Sequence, residues 1–147
     1  MHGHYRMLAL NLIASLAIMY LVMFAMIDGA GDFYHNLNTF YMALMMVAPM
    51  GALMLLMMGP MYANRRLNLG LHAGFAIVFA LAFLGIRSQA GIGDVQFIRS
   101  MIPHHSGAIL MCREARLTDP ELAALCDQIR NGQRREIDQM EAILARY

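Results

Sequence analysis

The chain of 147 residues has room for one domain or two small ones, and its composition differs from that of soluble proteins. Hydrophobic residues make up 59% of it and charged residues 14%, whereas soluble domains average roughly 45–50% and about 25%. A formal net charge of +1, with no lysine, gives no support for binding to nucleic acid. The composition therefore predicts that the partner of this protein is a lipid bilayer.

Three long segments contain no Asp, Glu, Lys or Arg, and each is long enough to cross a membrane. About 20 apolar residues span a hydrocarbon core of about 30 Å. We predict transmembrane helices at Met7–Ile27, Asn38–Met58 and Leu69–Ile86. The first is longer than the apolar region of a signal peptide and is followed by an acidic turn, so it is expected to be a retained anchor. Residues 1–90 are therefore predicted to form a three-span transmembrane domain.

Arginine positions predict how these spans are oriented. Arg6 precedes the first span, and Arg65 and Arg66 lie between the second and third. The first loop, DGAGDFYHNL, carries two aspartates and no base. By the positive-inside rule the N-terminus and the second loop are cytoplasmic, and everything after Arg87 lies outside. We expect a multi-pass protein of a bacterial inner membrane with a periplasmic or extracellular C-terminal domain.

The second span is rich in methionine, and four of these residues recur at every fourth position. They are Met42, Met46, Met50 and Met54. Such a stripe could pass soft metal ions along the helix, but methionine is also a flexible apolar filler of helix interfaces. The second interpretation is favoured.

Residues 91–147 are predicted to form a second domain, a hairpin of two antiparallel helices at about 94–117 and 120–146. Asp94 is a candidate N-cap for the first helix, and Asp119 followed by Pro120 is a stronger start signal for the second. The short connection makes the two helices neighbours. A hairpin of about 55 residues buries too little surface to stand alone. We expect a homodimer that completes a four-helix bundle, or else packing of the hairpin on the membrane face of its own anchor.

A 4-3 spacing of side chains predicts the contact between the two helices. In the first helix the predicted seam is Phe97, Met101, His104, Ala108, Met111 and Ala115. In the second it is Leu122, Cys126, Ile129, Gln133, Glu136, Met140 and Ile143. The predicted register places His104 opposite Gln133 and Met101 opposite Glu136. Polar residues here could form a hydrogen-bonded layer that sets register or a metal site, and the residues alone favour neither.

The hairpin concentrates thioether, imidazole and thiol groups, which suit Cu(I), while imidazole with carboxylate or amide oxygen also suits Cu(II). Cys112 and Cys126 are the less favoured ligands, because outside the cytoplasm they could form a disulfide. Di-iron and zinc are not favoured, since the Glu-x-x-His motif and closely spaced Cys and His pairs are missing. The candidate copper ligands are Met101, His104, His105, Met111, Met140, Gln133 and Glu136.

No motif of an enzyme is present, whether a nucleophile elbow, a phosphate loop or a dinucleotide fingerprint, so no catalytic activity is expected. Two functions remain open at this point. The chain is a membrane-anchored copper-binding protein, or it is a membrane scaffold without metal whose hairpin mediates oligomerisation through a polar layer. A partner that delivers copper cannot be named from these residues.

The hairpin sequence resembles domain-of-unknown-function family 305. The segment DVQFIRSMIPHHSGAILM contains the F-x-x-x-M-I-P-H-H core of that family and a later methionine, and the second helix contains its Q-x-x-E-I-x-x-M pattern. The resemblance implies an all-α, ferritin-like bundle outside the cytoplasm and, for some members, copper binding and copper resistance. The preceding region looks like the three-span anchor of some bacterial members. The resemblance therefore favours a copper site centred on Met101, His104 and His105. Met111 and Met140 are expected as auxiliary donors, and Gln133 and Glu136 as residues that orient the imidazoles or complete the shell.

Overall fold

The computed structural model describes residues 2–147, and its regular structure is entirely helical within that range. The five α-helices are α1 (His2–Val22), α2 (Leu37–Met57), α3 (Arg65–Ser88), α4 (Asp94–Glu114) and α5 (Pro120–Leu144). Short 3-10 turns at Ala30–Asp32 and Gly59–Met61 lie in the first two connections. The all-α class predicted from the sequence is confirmed.

Helices α1, α2 and α3 are long and apolar enough to cross a membrane, over Gly3–Val22, Leu37–Met57 and Arg65–Ser88. The first and third of these helices have bounds that differ from the predicted spans. Helix α1 ends at Val22, so the residues after it belong to the first loop. Helix α3 begins at Arg65, because the Asn64 side chain accepts a hydrogen bond from the Leu67 amide and caps the helix.

The chain forms two compact units that do not follow a single cut in the sequence. The first comprises residues 2–22 and 38–90, and the second comprises Met23–Leu37 together with Gly91–Tyr147. The predicted division places the first loop in the anchor, whereas the structure groups it with the hairpin. Two candidate spans, α2 and α3, separate the loop from the hairpin along the chain. Two crossings return a chain to the side from which it left, so this grouping is compatible with a membrane.

The core of the first unit is built from Leu8, Leu55 and Tyr62, and Met54 packs against it. Gly51 of α2 lies against the Phe75 ring: a Cβ at this position would lie 2.6 Å from Cζ of Phe75, so the ring would have to shift. Met42 and Met46 are exposed, unlike Met54. The methionine stripe of α2 is thus divided between core packing and an outer face.

The hairpin of the second unit begins and ends at its capping residues. Asp94 is the first residue of α4 rather than its cap, which is Gly93. The predicted start of α5 is confirmed: the Asp119 carboxylate accepts from the Leu122 amide, and Pro120 occupies the first turn. Helix α4 ends at Glu114, three residues earlier than predicted, and α5 ends at Leu144.

The predicted seam of α4 is wrong by one residue. Its side chains that face the core and α5 are Ile98, Ile102, His105, Ile109 and Cys112. Phe97, His104 and Met111 are exposed instead. The reason is that α4 has two partners, since the first loop covers the flank that carries Ser106 and Gly107. The buried side of α4 therefore faces a direction between α5 and the first loop, and does not face α5 alone.

On α5 the predicted seam is mostly right. Cys126, Ile129, Gln133, Met140 and Ile143 are half-buried. Two predicted positions differ, because Leu122 is exposed and the Glu136 side chain keeps 58% of its surface open to solvent. The buried residue in this part of α5 is Ile137, which packs with the isoleucines of α4.

Candidate functional site

His105 is the buried histidine of the adjacent pair, and both of its ring nitrogens have partners. Nδ1 lies 2.9 Å from the Met101 carbonyl oxygen, one turn earlier in α4, and Nε2 lies 2.7 Å from Oε2 of Glu136 on α5. A carbonyl and a carboxylate both accept, so both contacts are hydrogen bonds when the ring carries a proton on each nitrogen. The pair joins the two helices through one polar contact within an otherwise apolar seam.

His104 has a different environment from its neighbour. It is exposed, and its ring centre lies 6.2 Å from that of His105, at 69° between the ring planes. Among the residues that the structure describes, no hydrogen-bonding partner contacts its ring nitrogens. His105 is therefore hydrogen-bonded across the seam, whereas His104 is open to solvent.

Three of the predicted donors lie on one outer face of α4. Met101, His104 and Met111 are separated by three and seven residues, which places them along one side of a helix. Met101 is half-buried, while His104 and Met111 are exposed, Met111 by 58%. We call these three residues the soft-donor face.

The donors predicted on α5 do not share one face, and each has a different environment. Glu136 contacts His105 rather than Met101, which follows from the one-residue shift of the α4 seam. Met140 packs against the isoleucine core, and Gln133 is half-buried. Within the described range, no three or more His, Cys, Asp or Glu side chains are grouped so as to hold a metal ion. The structure thus brings together His105 and Glu136, and it leaves the thioethers spread around them.

Cys112 and Cys126 are joined in a disulfide, with their Cα atoms 5.3 Å apart. Their assignment as less favoured copper ligands is therefore corrected, because their sulfur atoms are bonded to each other. The two cysteines lie at the same level on the antiparallel helices α4 and α5, which places their sulfur atoms within bonding distance. The disulfide closes the turn end of the hairpin.

An acidic contact of the first loop with the hairpin was not among the sequence predictions. The Asp28 carboxylate pairs with the guanidinium groups of Arg113 and Arg134, the latter at 2.9 Å. The Ser106 hydroxyl donates to the Asp32 carboxylate at 2.5 Å and accepts from the Asp28 amide at 2.6 Å. The loop is thereby fixed to both α4 and α5.

One signal in the sequence points to this contact. The first loop carries two aspartates and no Lys or Arg, while the hairpin is rich in arginine. Gly107, next to Ser106 on α4, also faces the loop, where a Cβ would be in ordinary contact, at 3.4 Å, with the Met26 carbonyl oxygen.

Two tyrosines mark the opposite end of the second unit. The Tyr34 hydroxyl donates to Glu141 at 3.4 Å, and partial burial together with that carboxylate raises the pKa of Tyr34. The Tyr147 hydroxyl donates to Asp94 at 2.8 Å, and this hydrogen bond raises the pKa of Tyr147. Both groups remain neutral donors at physiological pH, so these contacts hold the ends of α4 and α5 without adding charge.

The sequence is similar over most of its length to an uncharacterised protein, L153, of Acanthamoeba polyphaga mimivirus. The two are 36% identical over 141 residues, which covers 94% of this chain and 91% of the viral protein. No solved structure matches the chain. Residues 90–147 match the family model described as Domain of unknown function (DUF305). That match covers α4, α5 and the residues that bear the histidine pair, so the chain carries a domain of the DUF305 family at residues 90–147.

Proposed function

We propose that this protein is a membrane-anchored copper-binding protein that holds the ion outside the cytoplasm, for copper handling or tolerance. The observation that carries the proposal is the soft-donor face of α4, an exposed imidazole with two thioethers on the same face, next in sequence to buried His105 and its contact with exposed Glu136. Thioether and imidazole are the ligands that Cu(I) prefers, and imidazole with carboxylate suits Cu(II). The family resemblance supports the same metal.

His104 is the residue best placed to bind copper first. Its ring is exposed and, within the described residues, its nitrogens are not engaged in hydrogen bonds, so no contact has to be broken. The thioethers of Met101 and Met111 lie on the same face and can contribute soft donors. We infer that copper is captured on this outer face of α4.

His105 and Glu136 act as one unit in this proposal. Nε2 of His105 can bind copper only when it releases Glu136, and the exposed Glu136 side chain is then free to move or to bind the ion itself. Nδ1 stays on the Met101 carbonyl and holds the ring orientation. Gln133 and Met140, half-buried on α5, are the further donors on the facing helix.

A single copy offers few donors on its outer face, and a second copy would add a matching set. Two soft-donor faces brought together would build a closed copper shell and would complete a four-helix bundle. We therefore propose a homodimer. This dimer also covers the exposed side chains of Phe97 and Met111.

Copper binding by the purified full-length protein tests the proposal. Copper content is measured directly, and Cu(I) affinity is measured in competition with a chelator, for the wild type and for His104→Ala, His105→Ala and the double variant. Loss of a supporting residue costs a metal site about 10- to 100-fold in affinity. We expect Glu136→Gln to fall in that range and the double variant to lose more. His72→Ala, which removes a histidine of α3, should change nothing.

A second function is favoured by one observation, the polar contact across the seam between buried His105 and Glu136. Such a pair can specify the register of a bundle without any metal. A scaffold of this kind predicts that His105→Ala alters the oligomer mass in detergent and that the wild type binds no copper. Unchanged copper affinity in the double variant would remove the assignment of the site to the histidine pair. A wild type that binds no copper would remove the copper proposal and leave the scaffold.

A further inference from the structure

Charge is divided unequally between the two units of this protein. All ten carboxylates of the chain lie in the second unit, at Met23–Leu37 and Gly91–Tyr147. Residues 2–22 and 38–90 contain four arginines and no acidic side chain. The candidate membrane-spanning unit therefore carries positive charge that no carboxylate of its own neutralises.

Three of these four arginines lie at one end of the first unit. Arg6 follows Tyr5, whose hydroxyl accepts a hydrogen bond from the Asn64 amide at 3.2 Å. Arg65 and Arg66 follow Asn64 directly and open α3. Through these neighbours the first turns of α1, which carry Arg6, lie next to the start of α3, which carries Arg65 and Arg66. We call the three residues the arginine cluster.

A polar network holds the second loop in place around this cluster. The Tyr5 hydroxyl donates to Oδ1 of Asn68 at 2.8 Å, and Nδ2 of Asn68 donates to the Tyr62 carbonyl at 2.7 Å. The rings of Tyr5 and Tyr62 also contact each other, with their centres 5.2 Å apart. A loop ordered in advance loses little entropy when a ligand binds, so the cluster is prepared for a partner.

The arginine cluster is free to bind an anion. All three side chains are exposed, and across the described residues none of them takes part in an ion pair. The guanidinium group presents a planar fork of donors that matches a phosphate in two hydrogen bonds. The first amides of α3 and its dipole add partial positive charge at the same place.

The surroundings of the cluster are apolar and lie along the helices. Met7 and Leu10 on α1 are 65% and 62% exposed, and Leu69 on α3 is 73% exposed. They lie within one or two turns of Arg6 and Arg66. A ligand that fits both features has an anionic phosphate at one end and hydrocarbon chains at the other.

We propose that the arginine cluster binds the headgroup of an acidic phospholipid, with the acyl chains along the exposed sides of α1 and α3. The proposal takes α1–α3 as membrane spans and is independent of copper. An acidic headgroup is preferred to a zwitterionic one because the site has three positive charges and no carboxylate. The positive-inside rule by itself accounts for orientation, but it predicts no preference among headgroups in detergent.

Native mass spectrometry of the delipidated full-length protein in detergent tests this site. The probes are phosphatidylglycerol and phosphatidylcholine with identical acyl chains. We expect the wild type to retain phosphatidylglycerol in preference. An arginine near a membrane surface contributes roughly fivefold in affinity for acidic lipid, so Arg65→Gln with Arg66→Gln should reduce the preference roughly 25-fold. Arg6→Gln alone should reduce it roughly fivefold.

Arg87→Gln is the matched control, because it removes the same charge from the other end of α3. Arg87→Gln should retain the wild-type preference for phosphatidylglycerol. The double variant Arg65→Lys with Arg66→Lys, which keeps both positive charges, should retain most of that preference. Equal retention of the two lipids by the wild type would overturn the proposal, as would an equal loss in Arg87→Gln. Binding of glycerol phosphate as tight as that of phosphatidylglycerol would also overturn it, since the chains would then contribute nothing. If the double variant does not insert, the comparison of Arg6→Gln with Arg87→Gln decides.

Discussion

Ser106 is fully buried, and its hydroxyl is the contact through which the first loop reaches α4. The side chain is small enough to fit beside Gly107 and polar enough to serve two partners, the Asp28 amide and the Asp32 carboxylate. Asp32 is buried, so its carboxylate depends on this hydroxyl and on Arg134 for its polar contacts. The Ser106 hydroxyl thus supports the buried aspartate together with the arginine of α5.

Ser106→Ala should loosen the first loop without unfolding the helices. A buried group left without its hydrogen bond costs about 1–3 kcal/mol, so amide exchange of residues 28–34 should accelerate roughly 5- to 150-fold. Hydrogen exchange by mass spectrometry on the full-length protein measures this. Ser100→Ala is the control on the same helix, since the Ser100 hydroxyl donates to the Phe97 carbonyl of its own helix. Equal exchange in the two variants would contradict the assigned role.

Helices α4 and α5 are joined by three kinds of contact along their length. The isoleucine core occupies the middle, the His105–Glu136 pair lies beside it, and the disulfide closes the turn. Only the first of these is an apolar contact of the sort that usually defines a hairpin. The polar pair and the disulfide add specificity of register, because neither can form when one helix is displaced by a turn.

Loss of the disulfide should release the turn end of the hairpin. The two cysteines are separated by 14 residues, and a cross-link of that span contributes about 3 kcal/mol, chiefly by restricting the unfolded chain. In the double variant Cys112→Ser with Cys126→Ser, amide exchange near the turn should rise on the order of a hundredfold. Thiol alkylation before and after reduction reports the bond in the wild type. Free thiols before reduction would contradict it.

At the scale of the whole molecule, the second unit is assembled from two separate stretches of chain, Met23–Leu37 and Gly91–Tyr147. The Asp28–Arg134 contact joins residues 106 positions apart. The two candidate spans α2 and α3 lie between these stretches in the sequence. Two crossings return a chain to the side that it left, so the contact within the second unit is compatible with α2 and α3 as membrane spans.

The orientation of the chain is the prediction at this scale. A reporter enzyme that is active only outside the cytoplasm, fused after Tyr147, should be active, and a cytoplasmic reporter at the same point should be silent. The physical reason is the placement of Arg6, Arg65 and Arg66, which favours a cytoplasmic second loop. The opposite result would place the hairpin in the cytoplasm and would remove the setting of the copper proposal.

Local features of the sequence were sufficient to predict several elements. The apolar segments predicted three membrane-length helices, since length and hydropathy belong to each segment alone. Asp119 and Pro120 predicted the start of α5 for the same reason, because a cap involves only its nearest neighbours. The same start signal placed the hairpin turn after the histidine pair, so the pair was correctly predicted to lie on the first helix of the hairpin. The family could be identified from the residues that carry its motif.

The candidate site depended on contacts that no local pattern contains. The seam predicted from the sequence follows the stripe of α4 through His104, whereas the structure uses the adjacent stripe through His105. In the structure the first loop covers the flank of α4 that carries Ser106, and His105 on the neighbouring flank contacts Glu136 of α5.

Composition and spacing thus determined the helices, the candidate spans and the set of possible donors. The tertiary structure alone decided which histidine is buried, that the cysteines are bonded, and that the first loop belongs with the hairpin. The physical reason is that these outcomes depend on ion pairs and hydrogen bonds between residues as far apart as Asp28 and Arg134. Their partners are chosen by the packing of the whole unit, and not by neighbours in the chain.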